Sequence, residues 1–253
     1  MTQRVLSVMA HPDDAEFLCA GVLIRLQDKG WQVHIASMTP GDCGSMELPR
    51  EEIARVRMGE GRAAAALIRA EYHCLDCRDL LVAYDPPTIR RTVELIRRVD
   101  PAIVITHPPQ DYMADHEFTS LVTRNACFGA PAPNFQTDVL PAAPAVKAIP
   151  HLYYASPIEG IDIFGEPAPI SMAVDISEVI GLKADMLAAH RSQREWLRAQ
   201  HGMDEYIESM KRWSAEVGRR IGVEYAEGFR QHRGHPYPQS DVLGELLGGR
   251  KVA

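Results

Sequence analysis

Four short apolar runs in the first 106 residues, each separated from the next by a stretch of helical periodicity, constrain this chain more than any other feature. The runs are Arg4 to Met9, Trp31 to Met38, Glu71 to Leu75 and Ala102 to Thr106. The stretches between them are Glu16 to Lys29, stopped by Gly30, then Glu51 to Arg69 and Thr88 to Val99. Strands alternating with helices of this length form βαβ units, and the right-handed crossover makes their sheet mostly parallel with helices on both faces. The expected fold is therefore a doubly wound, Rossmann-like α/β domain. His151 to Ser156 and Ser171 to Asp175 read as late strands, and Ile176 to Gln200 and Asp204 to Arg220 as helices. No linker divides the chain, so residues 1–253 are expected to form one domain. Residues 130–150 hold five prolines, too many for a helix or a central strand, and are expected to be a long loop. A lid, a subunit contact and a plain surface excursion are the readings for such a loop.

Composition excludes several function classes. Against 27 Lys+Arg stand 34 Asp+Glu, a net charge of −7, so no basic stripe favours nucleic acid or an anionic membrane. Five cysteines are an odd number in a chain long enough to bury a core unaided, which argues for a reducing, cytoplasmic setting without a disulfide framework. The run Val5 to Ala10 is too short for a signal sequence, and no later stretch reaches membrane-spanning length. Cys74-Leu-Asp-Cys77 has no second pair and reads as ordinary thiols.

Ligands of open α/β sheets bind outside the carboxyl ends of the strands, and two acid-and-histidine segments lie there. The first, Ala10 to Glu16 (AHPDDAE), puts His11 and Asp14 three residues apart, where one tight turn brings a nitrogen and a carboxylate to a single Zn²⁺. Asp13 then points elsewhere, free to take a proton from an activated water. A plainer reading makes Asp13 and Glu16 a capping box for the following helix. The second, His107 to His116 (HPPQDYMADH), offers His116 to complete a His-Asp-His triplet with an open fourth position. Asp115 orients a ligand or caps a helix, and His107 is expected to be structural.

These segments also carry a resemblance. Ala10 to Asp14, Thr39-Pro-Gly-Asp42, Arg57-Met-Gly-Glu60, Asp111-Tyr-x-x-Asp-His116 and Ala189-His-Arg-Ser-Gln193, in this order, resemble the PIG-L/LmbE-like N-acetyl deacetylase family over roughly Arg4 to Phe229. The resemblance implies one Zn²⁺ per chain on His11, Asp14 and His116, with Asp13 as general base. It implies hydrolysis of an N-acetyl group from an amino sugar or related glycoside of N-acetylglucosamine type. Arg57 matches an arginine that contacts substrate hydroxyls, its plainer role being an ion pair with Glu60. His190 matches a histidine that stabilises the oxyanion, its plainer role being a satisfied helix histidine. Asp42 and Tyr112 are expected to line the substrate pocket. Relatives are often trimers or hexamers, so a homo-oligomer is the expectation.

One position departs from the pattern. Three residues before His116, where many relatives have a second histidine, this chain has Met113, which neither donates a hydrogen bond nor holds a charge. That departure keeps open a zinc hydratase, or a hydrolase of a non-sugar amide, on the same scaffold. A metal-binding protein without turnover is a further reading.

Overall fold

The computed structural model describes residues 3–195 and 205–252. Its sheet has eight strands in the order β3-β2-β1-β4-β5-β7-β6-β8. They are β1 (Arg4–Met9), β2 (Gln32–Ser37), β3 (Glu71–Cys74), β4 (Ile103–Thr106), β5 (His151–Ala155), β6 (Met172–Asp175), β7 (Ala226–Gln231) and β8 (Arg250–Lys251). The β3-β2-β1-β4-β5 half is parallel, with Val5 in register with both Val33 and Ile103. The β7, β6 and β8 strands add antiparallel partners on the far side. The expected mostly parallel α/β fold is thus the observed one.

Both faces of the parallel half are covered, which is why its strands read as continuous apolar runs. Val5, Val33, Ile35, Ile103 and Ile105 pack under α1 (Asp14–Leu18), α2 (Ala20–Asp28), α3 (Arg50–Leu67) and α6 (Ile180–Ala188). Leu6, Val8, Ala36 and Val104 pack under α4 (Pro86–Val99) and α5 (Ala114–Gly129). Helix α4 begins two residues earlier than its apolar pattern, with prolines in its first turn and Asp85 accepting the Thr88 N–H at 2.8 Å.

Two sequence expectations are corrected. The helix expected over Glu16 to Lys29 is two helices, broken at Cys19 (φ −147°). The break is stable because the Glu227 carboxylate, on distant β7, accepts the Gly21 and Val22 N–H groups at 2.8 Å each. That carboxylate is balanced by buried Lys183 at 2.7 Å. The helix expected over Ile176 to Gln200 is also interrupted: α6 ends at Ala188, His190 lies in the joint, and residues 191–195 resume as helix. Residues 196–200 and Asp204 of the expected helices lie outside the described residues. The next helix spans Glu205–Ile221, and a short one spans Val242–Leu247.

The proline-rich segment, residues 130–150, has no regular secondary structure and is anchored to α4. Arg97 of α4 donates to the carbonyls of Ala130 (3.0 Å), Ala132 (2.6 Å) and Phe135 (3.0 Å). Glu94 accepts the Thr137 hydroxyl at 2.7 Å and the Ala143 N–H at 3.1 Å. The loop is therefore fixed on the outside of α4. No described helix is long and apolar enough to cross a membrane.

Candidate functional site

The carboxyl ends of β1, β2 and β4 point the same way, so the segments 10–14, 39–44 and 107–116 meet at one sheet edge. They border a cavity of about 460 Å³ whose wall includes His11, Asp13, Asp14, Arg57, Tyr112 and Trp213.

His11, Asp14 and His116 are buried and their ligand atoms lie within 4.8 Å of one another. His11 Nδ1 is 3.4 Å from Asp14 Oδ2, and His116 Nε2 is 3.6 Å from the same oxygen. Donors at about 2.1 Å from a tetrahedral zinc stand about 3.4 Å apart, so these separations fit such an ion. The second nitrogen of each ring is held by a carboxylate. His116 Nδ1 is 2.9 Å from Asp111 Oδ1, and His11 Nε2 lies 3.0 Å from Asp79 Oδ1 and 3.3 Å from Asp115 Oδ2. Carboxylates in that position fix the tautomer and leave the opposite nitrogen for a metal. His116 Nε2 is buried without a hydrogen-bond partner, as an atom reserved for a ligand would be.

Charge follows the geometry. Burial pushes the Asp14 carboxyl up, but the His116 and His107 rings outweigh it and hold the group well below the usual range. Burial works against protonation of His11 and His116, yet their carboxylate neighbours raise both. Asp115 does not cap its helix. It accepts the N–H groups of Leu80 (2.7 Å) and Val82 (3.2 Å) and turns its Oδ2 to His11. His107 Nε2 accepts the Ala10 N–H at 3.0 Å and lies 3.2 Å from Asp14 Oδ2, and its ring stacks on His116 with centroids 3.9 Å apart.

Asp13 adopts φ 108°, in the left-handed region, and its side chain makes no cap hydrogen bond, so the capping-box reading fails. Instead Oδ2 accepts the Tyr206 hydroxyl at 2.5 Å and Oδ1 lies 3.4 Å from Arg57 Nη2. Burial raises the Asp13 pKa, against the opposing pull of Arg57. A strained backbone that aims a buried, high-pKa carboxylate beside a metal-type triplet suits a proton acceptor. Arg57 does not pair with Glu60, which instead accepts from Ser192. Its guanidinium donates to the Pro12 carbonyl at 2.9 Å and fills the space over Gly41 (φ 71°), where a Cβ would stand 2.4 Å from Nη1. Gly44, where a Cβ would stand 2.5 Å from the same nitrogen, joins Gly41 in admitting Arg57.

Three expected site residues are absent from the cavity wall: Asp42, His190 and His116, the last of which lies buried behind it against Asp14. Asp42 is not on the cavity wall. It is buried below, held by Arg50 at 2.6 Å, Arg78 at 3.2 Å and the Asp79 N–H at 2.9 Å, which consumes its charge in positioning the loop. His190 is fully buried and also absent from the wall. Its Nε2 is 3.5 Å from Glu16, and burial, which opposes protonation, is outweighed by Glu16 and Asp13, which raise it. Tyr112 does line the cavity, exposed and edge-on to His116 at 5.2 Å. Tyr206 and Asp79 were not found from the sequence. Tyr206 sits on a helix with no motif around it, and Asp79 follows a strand too short to mark a site.

The fold and this geometry describe an α/β protein with a candidate metal-binding group of His11, Asp14 and His116 at its strand ends. Residues 6–127 match the family model described as PIG-L: GlcNAc-PI de-N-acetylase. A diacetylchitobiose deacetylase of Thermococcus kodakarensis is 26% identical over 240 residues, covering 90% of this chain and 82% of its own. A 4-oxalmesaconate hydratase of Pseudomonas putida is 26% identical over 159 residues, covering 59% of this chain and 62% of its own. The structure of an N,N'-diacetylchitobiose deacetylase from Pyrococcus horikoshii superposes with a TM-score of 0.77 at 24% identity, over 95% of this chain and 88% of that one, and so shares the fold.

Proposed function

We propose that this chain is a zinc-dependent hydrolase that removes an N-acetyl group from an amino sugar or related glycoside of N-acetylglucosamine type. One observation carries the reading: His11 Nδ1 and the buried, partnerless His116 Nε2 both face Asp14 Oδ2, directly behind a cavity wall formed in part by His11, Asp13 and Asp14. The family match and the deacetylase relatives support the same reaction.

In this reading His11, Asp14 and His116 hold one Zn²⁺, which when bound supplies a Lewis acid for the acetamide carbonyl and lowers the pKa of a water to about 7. Asp13 Oδ1 or Oδ2 accepts the proton of the attacking water. The same carboxyl then returns that proton to the departing amine nitrogen as the C–N bond breaks, giving acetate and a free amine. Arg57 and Tyr206 hold Asp13 in place. His190, buried beside Glu16 with both ring nitrogens lacking a hydrogen-bond partner, is the group proposed to stabilise the oxyanion. Tyr112 supplies an exposed ring for one face of a sugar. Partners are small N-acetylated molecules, the setting is cytoplasmic, and the chain self-associates. Metal analysis coupled to acetate release over N-acetylated sugars and glycosides tests the proposal; one zinc per chain with acetate released supports it, and zinc without acetate release defeats it.

A second reading, hydration of an unsaturated acid or hydrolysis of a non-sugar amide, is favoured by Met113. It lines the cavity at the start of α5, where a histidine would supply a proton. The hydratase relative points the same way. Loss of ultraviolet absorbance from a conjugated dicarboxylic acid, without acetate release, would establish it.

A further inference from the structure

His34, on β2, and Glu71 and His73, on the edge strand β3, gather at one end of the sheet order. β2 and β3 pair in parallel with His34 opposite Glu71 and Ala36 opposite His73, so the three side chains share one face. β3 is the last strand, which leaves the group open to water on one side. His34 lies three residues before the end of β2, in register with Leu6 and not with the loop of the cavity.

His34 Nδ1 stands 3.1 Å from His73 Nε2, 3.6 Å of separation lies between His34 Nδ1 and Glu71 Oε2, and His73 Nε2 is 3.9 Å from Glu71 Oε1. One carboxylate oxygen faces each ring, one ligand atom from each residue lies within 4.8 Å of the others, and the spacings bracket the roughly 3.4 Å between donors around a tetrahedral ion. The two rings are held by packing, with side chains 12% and 22% exposed, while Glu71 is 67% exposed and closes from the solvent side. A shared proton between the imidazoles accounts for the shortest edge alone. The Glu71 oxygens are too far from either ring for a hydrogen bond, yet both face the pair.

We propose that His34, Glu71 and His73 form a second divalent-metal site, with water in the fourth position. Two imidazoles and a carboxylate suit a borderline ion such as Zn²⁺. Burial pushes both imidazoles below 6.5, so at neutral pH the rings carry lone pairs and protons do not compete. The neighbouring cation, Arg4, has its charge offset by Asp100 at 3.8 Å. An ion here ties the edge strand β3 to β2.

The test is calorimetric titration of the full chain with Zn²⁺, with fold checked by circular dichroism. Wild type is expected to take up a zinc equivalent that His73→Asn and His34→Asn each weaken about tenfold or more. The exposed control His235→Ala keeps it. This equivalent persists in His116→Ala, which separates the edge site from the cavity reading. Uptake undiminished in folded His73→Asn and His34→Asn, or no such equivalent in His116→Ala, overturns the proposal.

Discussion

The Tyr206 hydroxyl donates to Asp13 Oδ2 at 2.5 Å across 193 positions of sequence, which makes a C-terminal helix the keeper of the proposed base. Tyr206→Phe keeps the ring packed edge-on against Phe17, 4.8 Å away, and removes only the donor. Turnover is expected to fall about tenfold with zinc content unchanged, whereas Asp13→Asn should cost about 10²–10⁴-fold. Steady-state kinetics with metal analysis on the same samples checks both. Near-normal turnover in Asp13→Asn would remove it from the base role.

Zinc retention separates donors from their supports. His116→Ala and His11→Ala are expected to emerge with well under one zinc per chain. Asp111→Asn, which loosens the His116 ring without removing a donor, should bind zinc about 10–100-fold more weakly. Competition with a chromophoric chelator measures all three.

Gly41→Ala forces a Cβ to within 2.4 Å of Arg57 at a left-handed φ. The backbone alone costs roughly 1–2 kcal/mol, and the displaced guanidinium should lower kcat/KM as well. Gly59→Ala in α3, where nothing lies within 4 Å, should be neutral or stabilising. Urea unfolding of the pair distinguishes the two.

Lys183→Met strands a buried carboxylate and is expected to destabilise by about 3–5 kcal/mol. Adding Glu227→Gln should recover part of that loss, since the amide no longer carries an unbalanced charge. Thermal and urea midpoints of the single and double variants are the measurement.

Burial pushes the Glu94 carboxyl up, but Thr137, Ala143 and Arg98 outweigh it and hold it below its ordinary 4.5. A depressed folded pKa means stability that is present above 4.5 and lost as pH falls through the folded value. Between about pH 5 and pH 3 the wild-type melting temperature should drop more steeply than that of Glu94→Gln.

Much of the parallel half was legible in the sequence because both of its faces are buried, so whole apolar runs such as Ile103–Thr106 mark strands without ambiguity. β7 was missed because Ala226–Gln231 mixes a glycine, an acid and an arginine, and its Glu227 serves a remote helix end. For the same reason the break at Cys19 was invisible: its cap comes from 205 positions away. In the site, His11, Asp14 and His116 could be found because each sits directly after a strand or at a helix start. Asp42 was misplaced since nothing local shows that Arg50 and Arg78 draw it under the loop. Tyr206 carries no local signal at all, because its partner is defined only by tertiary packing.

The three proposed metal donors all precede residue 117, and the hydroxyl that steadies Asp13 arrives about ninety positions later. The carboxylate beside those donors is therefore fastened from the far end of the chain, so the two ends of the sequence have to pack together before Asp13 is held.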